Sequence, residues 1–284
     1  MDKGTNDTIN SLLSDVSRDG RPFIKSSEGL IIPSASLKED THIRIMDLEH
    51  RETTVIKQIS KDKEDNRIYY FHRPNPPQKL LLDAWKNKEL KVFTFTGGNR
   101  SGKTTIGALL AISTVIGFYP WSGEKILFPH KKPRRVRLVG QDWEKHITQV
   151  VVPALHNWWP KKRPLSTKKN NMGADAFWID DETGSTLEIM SNRQESELHE
   201  GWDGDLVVYD EPPKRDIRIA NTRGLVDRNG RELFCMTLLK EPWVDKEVIK
   251  ARNEDGSPDL TVFNVHAEIY DNVGYGLTQE AVDL

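Results

Sequence analysis

The chain has 284 residues, enough for one large or two small domains with a sizeable core. Charged residues make up 30% and the hydrophobic set 36%, a polar globular composition, and no apolar run of about 18 residues predicts a membrane span. Net charge is −2 and Cys235 is the single cysteine, which excludes an intrachain disulfide and any cysteine-built zinc cluster and points to a reducing compartment.

In chain order, the start (Met1-Asp2-Lys3-Gly4) has no secretory pattern. Residues 1–66 are rich in Ser, Asp and Lys with short apolar stretches such as Leu30-Ile31-Ile32; no caps or long periodic patterns mark firm elements, which predicts an arm or small subdomain that partly orders on a partner. From Arg67 onward strand-like and helix-like segments alternate, which predicts a parallel sheet with helices on its faces. Residues 67–71 read as a short strand. Asn75 caps a helix that carries proline in its first turn and runs to about Trp85. A strand over 90–96 and an apolar helix from Thr104 follow, the helix ending before Pro120. Then come a strand at 135–140, a helix over 143–158 kinked at Pro153, and a hairpin from 176–180 and 185–190. Strands at 205–209, 231–237 and 260–267 complete the sheet.

Between the 90–96 strand and its helix lies Gly97-Gly98-Asn99-Arg100-Ser101-Gly102-Lys103-Thr104. It fills every fixed position of G-x-x-x-x-G-K-[ST], and the strand and helix around it meet the pattern's structural condition. Its glycines allow backbone N–H groups to turn inward, and the helix N-terminus adds positive partial charge. Lys103 is expected to reach the β- and γ-phosphates and the Thr104 hydroxyl to bind Mg²⁺, with Thr105 completing the nucleotide-binding set.

Leu206-Val207-Val208-Tyr209-Asp210-Glu211 is an apolar run ending in two acids. A buried parallel strand has this form, and ligands bind beyond its carboxyl end. Asp210 then serves Mg²⁺, and Glu211 polarises the attacking water as general base. The strand at 135–140 falls between the two motifs, which together with the glutamate fits the additional-strand class of phosphate-loop ATPases. Gln78 offers an amide able to pair with both edges of adenine, with Tyr69, Tyr70 or Phe71 to stack on the ring; an exposed helical glutamine is the other reading. Thr237, ending a strand, either senses the γ-phosphate or is only a strand former. Arg100 meets phosphate or solvent, and Arg193 is a candidate arginine finger for a neighbouring subunit. Lys and Arg dominate residues 131–169, with only Asp142 and Glu144 against them. Acids dominate 175–211, with Arg193 the only Lys or Arg. Such asymmetry means either separate surfaces for a polyanion and a metal, or adjacent loops of opposite sign.

Together these motifs resemble the N-terminal packaging ATPase domain of a tailed-phage large terminase subunit, over roughly residues 69–272. Asn75-Pro76-Pro77-Gln78 is similar to the family's adenine motif, and the 97–104 loop has a form met there. The stretch from Glu200 to Pro212 resembles its lead into Walker B, 230–238 its coupling motif, and Tyr270-Asp271-Asn272 the turn where the ATPase domain gives way to a nuclease. Two positions depart from the family. Glu200 stands where arginine is common, leaving the trans finger unassigned, and Asn99 stands where many members carry the loop arginine, so a cis role for Arg100 stays open. The resemblance implies a three-layer, RecA-like P-loop fold of the additional-strand class. Its parts are an N-terminal segment (1–66), an ATPase core (67–270) and the start of a linker (271–284) to a nuclease domain. It implies ATP and Mg²⁺ as cofactors, and double-stranded DNA, the procapsid's portal protein and a small terminase subunit as partners. It also implies a homo-oligomeric ring when docked and room for a monomer in isolation, in host cytoplasm with no membrane. A helicase-like DNA-dependent ATPase and a nucleotide switch without productive hydrolysis are the alternatives.

Overall fold

The structure is a computed structural model that describes residues 23–25, 31–33, 39–126, 128, 131–238 and 241–283. The chain divides between Lys61 and Asp62 into two compact units. In the first, β1 (Phe23–Lys25) pairs antiparallel with β2 (Ile31–Pro33). Helix α1 (Glu39–Asp65) runs through the boundary. The rest of the expected N-terminal arm, Leu30 included, lies outside the described residues. A helix at 39–65 corrects the expectation of a segment without firm elements. No glycine or proline interrupts it, and its Glu, Lys, Arg and Gln are good helix formers. Its polarity hides it from a reading based on apolar period.

The second unit is α/β. Its elements are α2 (Pro76–Trp85), β3 (Val92–Gly97), α3 (Lys103–Ile116) and β4 (Arg135–Gly140), then a π-helix (Trp143–Val151) continuing as α4 (Val152–Trp158). Next come β5 (Leu165–Lys169), β6 (Asp175–Asp180), β7 (Thr186–Ser191), β8 (Leu206–Asp210), α5 (Arg215–Leu225), β9 (Arg231–Met236) and β10 (Val262–Ala267). They form one eight-stranded sheet of order β10-β3-β9-β8-β4-β7-β6-β5. Strands β10, β3, β9, β8, β4 and β7 are mutually parallel, while β6 and β5 add an antiparallel edge. The strand standing between those of the two nucleotide motifs is β9. β4, which falls between them in sequence, lies on the far side of β8.

Side-chain alternation puts the central strands between two apolar layers. Leu206, Val208, Leu233 and Cys235 join the core that includes the α3 residues Ile106, Leu109 and Leu110. Val207, Tyr209, Phe234 and Met236 face the opposite way, onto Ile217 and Leu225 of α5. The sheet therefore has helices on both faces, giving three layers. α3 lies close because residue 107 is glycine: a Cβ there would stand 3.1 Å from Cys235 Sγ and 3.3 Å from Val208 Cγ1.

Three local expectations need correction. Residues 67–70 form a 3-10 turn, not a strand. The α1 end continues into it through Asn66 N–H to the Asp62 carbonyl and Tyr69 N–H to the Asn66 carbonyl, 2.9 and 3.0 Å, and the Tyr70 hydroxyl donates to the Asp62 carboxylate. The 143–158 helix is wound as π over its first part. Pro153, in the first turn of the α part, lacks the N–H to continue the ladder. β5 adds a strand where the sequence shows no apolar alternation: its Ser, Thr and Lys residues are mostly exposed, as suits a sheet edge.

Candidate functional site

The loop from Gly97 to Thr104 leaves β3 at the carboxyl ends of the parallel strands and enters α3. Gly97 is forced: a Cβ would meet the Ala267 carbonyl oxygen at 2.3 Å. Gly102 takes φ +90° as the residue before α3, and Arg100, at φ 63°, is the loop's other left-handed residue. The Lys103 ammonium is folded under the loop and donates to the Gly97 and Gly98 carbonyls at 3.1 and 2.6 Å. Ser101 Oγ donates to the Gly98 carbonyl at 2.9 Å. Asn99 and Arg100 are exposed, while Thr104 and Thr105 are half-buried.

Three successive loop carbonyls are held from behind by side-chain amides. Asn272 Nδ2 donates to Arg100 O at 2.8 Å, Asn75 Nδ2 to Ser101 O at 3.3 Å, and Gln78 Nε2 to Gly102 O at 3.2 Å. Asn75 and Gln78 form a capping box on α2, with Asn75 Oδ1 accepting from Gln78 N–H at 2.9 Å and Gln78 Oε1 from Asn75 N–H at 3.1 Å. Asn75 Nδ2 also lies 3.3 Å from Asn272 Oδ1. Tying the carbonyls back on one side leaves the loop's amides for the other side, which an anion requires.

Asp210 closes β8 and is buried. Its two oxygens each lie 3.1 Å from Thr104 Oγ1, whose single hydrogen they share. His146, on the π-helix, sits with Nε2 3.3 Å from Asp210 Oδ2. Burial opposes protonation of that imidazole, but the carboxylates of Asp210, Glu211 and Asp142 together raise it above the usual histidine value. Glu211 follows at φ +86°, a conformation costing about 1–3 kcal/mol in a residue with a side chain. The strain is offset by fixed partners: Glu211 N–H donates to the Cys235 carbonyl at 3.0 Å, and Glu211 Oε2 accepts from Thr237 N–H at 3.1 Å. The Thr237 hydroxyl donates to the Gly97 carbonyl at 3.2 Å, linking the β9 end to the loop. The Cys235 thiol is pushed well up by burial and by the Asp210 carboxylate, so it stays protonated.

Sequence reasoning thus brings Gly97 to Thr104, Gln78, Asp210, Glu211 and Thr237 to one place. It missed His146, Asn272 and Tyr275. Tyr69, Tyr70 and Phe71 do not line the cleft beside α2. Phe71 packs edge-on against Trp121 and Trp158, and Tyr70 contacts Asp62. That cleft, of about 420 Å³, has Arg73, Pro74, Lys79, Trp121 and Tyr275 in its walls, with the Arg73 guanidinium 5.6 Å from the Tyr275 ring centroid. Arg193 points to solvent beside Asp142, 3.7 Å away. The basic 131–169 stretch is not one exposed face. Arg137 is buried on Glu188 at 2.7 Å and Arg163 on Asp180 at 2.6 Å, and Arg135 pairs with Asp203. Three of the arginines thus pair with the acidic stretch, while Lys161 and Lys162 pair with Asp65 and Asp62 of α1.

An oxygen donor set of one hydroxyl and one carboxylate beneath a phosphate loop suits Mg²⁺, which keeps waters and takes its remaining ligands from phosphates. Among the described residues, no group of three or more His, Cys, Asp or Glu side chains could hold a metal ion.

Loop, strand order and strand-end acids define a P-loop, RecA-like α/β fold. It is similar to the large terminase of a thermophilic bacteriophage, with a TM-score of 0.53 and 17% identity over 74% of this chain and 49% of that one. Another crystal form of the same terminase gives 0.53, 16%, 74% and 48%, and its complex with ADP gives 0.53, 15%, 74% and 49%. This chain spans about half the length of those structures. No family model matches the sequence, and no curated protein matches it. Among the described residues, no helix is long and apolar enough to cross a membrane.

Proposed function

We propose that this chain is the ATP-hydrolysing motor domain of a viral DNA-packaging terminase. The observation that carries the reading is the contact of Thr104 Oγ1 with both Asp210 oxygens at 3.1 Å, with the next residue, Glu211, at the same strand end. Support for ATP comes from the phosphate loop and from the fold's likeness to a terminase solved in complex with ADP. Lys103 exchanges its two loop carbonyls for β- and γ-phosphate oxygens. Thr104 and Asp210 hold Mg²⁺, which offsets charge on the phosphates. Gln78 keeps one amide hydrogen and one carbonyl lone pair beyond its present bonds, enough to pair with an adenine edge. The cleft walled by Arg73 and Tyr275 takes the base. Glu211 orients and deprotonates the water, and Thr237, bonded to both Glu211 and Gly97, relays the loss of the γ-phosphate to β9.

The work done is movement of double-stranded DNA into a procapsid, in host cytoplasm. The chain would act as a ring on the portal protein with a small terminase subunit, residues 67–270 forming the motor and 271–284 leading toward a nuclease domain. Grip on DNA is sequence-independent and weakens steeply with salt. A helicase-like ATPase is the second reading, because that class also pairs a glutamine motif with a phosphate loop and strand-end acids. The deciding experiment is packaging of DNA into purified procapsids by the full protein and by Lys103→Ala. Protection of DNA from nuclease by the parent and none by the variant is expected. ATP-driven strand separation with no packaging would overturn the terminase reading in favour of the helicase one.

A further inference from the structure

We infer that His146 is a positioning residue for the Mg²⁺ site, holding the Asp210 carboxylate in the orientation that the metal requires. This rests on the reading of the loop as an ATP·Mg²⁺ site. Three observations carry it. First, the imidazole has a partner beside each nitrogen. Nδ1 lies 3.1 Å from the Gln141 backbone N–H and must accept from it. In the neutral imidazole the ring proton is therefore on Nε2, which faces Asp210 Oδ2 at 3.3 Å. Second, the chain is built to bring the ring there. Asp142 caps the π-helix, with Oδ1 accepting from Lys145 N–H at 2.7 Å, and Ile147 N–H reaches back to the Asp142 carbonyl at 2.8 Å, the wider π spacing. Third, β4 ends in glycine beneath the ring: a Cβ on Gly140 would stand 2.5 Å from Ile147 Cγ1 and 3.2 Å from His146 Nδ1. Any larger residue would push this turn away from Asp210.

The geometry gives the two carboxylate oxygens different work. Oδ2 has the imidazole Nε2 3.3 Å away as well as its share of the Thr104 hydroxyl, while among the described residues Oδ1 has the Thr104 hydroxyl alone. With the Thr104 hydroxyl turned to a metal, His146 would remain beside Oδ2 and Oδ1 would be left free for the ion. Hydrogen-bond partners of a metal's carboxylate ligands commonly set affinity by about 10–100-fold.

The test uses Mn²⁺ in place of Mg²⁺ and compares His146→Gln with His146→Asn. Glutamine can extend a donor to the Nε2 position and reach Asp210. Asparagine reaches only the Nδ1 position and can serve Gln141 but not Asp210. Mn²⁺ binding in the presence of ADP is followed by loss of the free-ion electron paramagnetic resonance signal. Binding of a fluorescent ADP analogue in EDTA reports the metal-free site. The expected result is Mn²⁺ affinity within about threefold of the parent for Gln and at least about tenfold weaker for Asn, with metal-free affinity alike in both. Equal Mn²⁺ affinities in the two variants, at whatever level, overturn the role of His146. If the parent itself shows no ADP-dependent Mn²⁺ binding, the reading of the whole site as ATP·Mg²⁺ falls instead.

Discussion

The Glu211 carboxylate and the Thr237 backbone meet at 3.1 Å, Oε2 accepting the N–H. Glu211 therefore sits at the end of β8 with its side chain pinned to the end of β9. The same Thr237 places its hydroxyl on Gly97, so the candidate base and the phosphate loop share one intermediary. Replacing Glu211 by glutamine keeps an acceptor for that N–H but removes the basic oxygen. Turnover is expected to fall about 10²–10⁴-fold with nucleotide affinity nearly unchanged. Phosphate release and fluorescent-nucleotide binding measure the two; a variant hydrolysing at the parental rate would rule out Glu211 as the base.

Thr237→Ala separates the two links, since alanine keeps the N–H to Glu211 and loses only the hydroxyl on Gly97. A hydrogen bond of this kind contributes about 0.5–1.5 kcal/mol. ATP affinity is expected to change by no more than a few fold, while coupling of hydrolysis to DNA movement drops. Packaging per ATP consumed by the full protein is the readout, and an unchanged ratio would leave Thr237 a strand former.

The three amides behind the loop act as a unit. Asn272→Ala frees the Arg100 carbonyl and removes a partner of Asn75, so nucleotide affinity should weaken about five- to tenfold, near 1 kcal/mol. Because Asn272 and Asn75 touch, the double alanine variant is expected to lose less than the sum of the singles. Strict additivity in nucleotide titrations would mean that the two amides work independently.

The loop, the cap at Asn75 and the acids after Leu206 are legible in the sequence because each is a local pattern: a turn with its glycines, a helix start, a strand end. Asn272 is legible only as part of a terminal turn, since it meets Arg100 from 172 positions away. His146 is unreadable for a related reason. Its place depends on π winding before Pro153 and on the absence of a side chain at Gly140, neither of which alters the apolar period. The charge blocks leave two readings open because sequence distance hides the pairing of Arg137 with Glu188 and Arg163 with Asp180, pairs that favour adjacent segments of opposite sign. The 67–71 segment has a strand-like composition, and its contacts with the α1 end override it.

His199 gives the fold a dependence on pH. It is buried, and burial first, then the nearby Arg137 guanidinium, hold it below the ordinary histidine value of 6.5. Arg137 Nη1 donates to its carbonyl and to Asn221 Oδ1, both at 2.8 Å. A depressed folded value means that the unfolded chain takes the proton first. The contribution is complete above the unfolded value and is lost as pH falls from about 6.5 toward the folded one, by at most about 1.4 kcal/mol per pH unit. His199→Asn should flatten the decline of urea stability between about pH 7.5 and 5.5, the difference from the parent isolating this group from other histidines. Parallel curves would refute the assignment.

Gly107 of α3 faces Cys235 and Val208 of the sheet closely enough that an added Cβ would stand 3.1 Å from Cys235 Sγ. The thiol is buried and held well above its ordinary pKa by that burial, so thiolate is scarce and reagents cannot reach it. The native protein should resist a maleimide at about pH 8 and react fully in denaturant. Gly107→Ala improves helix propensity by about 1 kcal/mol but drives a methyl to 3.1 Å from Sγ. Cys235→Ala removes that sulfur, and the space it leaves fits the added methyl. The double variant is therefore expected to be more stable than the sum of the single changes by about 1 kcal/mol, measured by urea unfolding. A coupling of zero would mean that α3 shifts away from the sheet instead, and the loop at its N-terminus would then lose nucleotide affinity in Gly107→Ala.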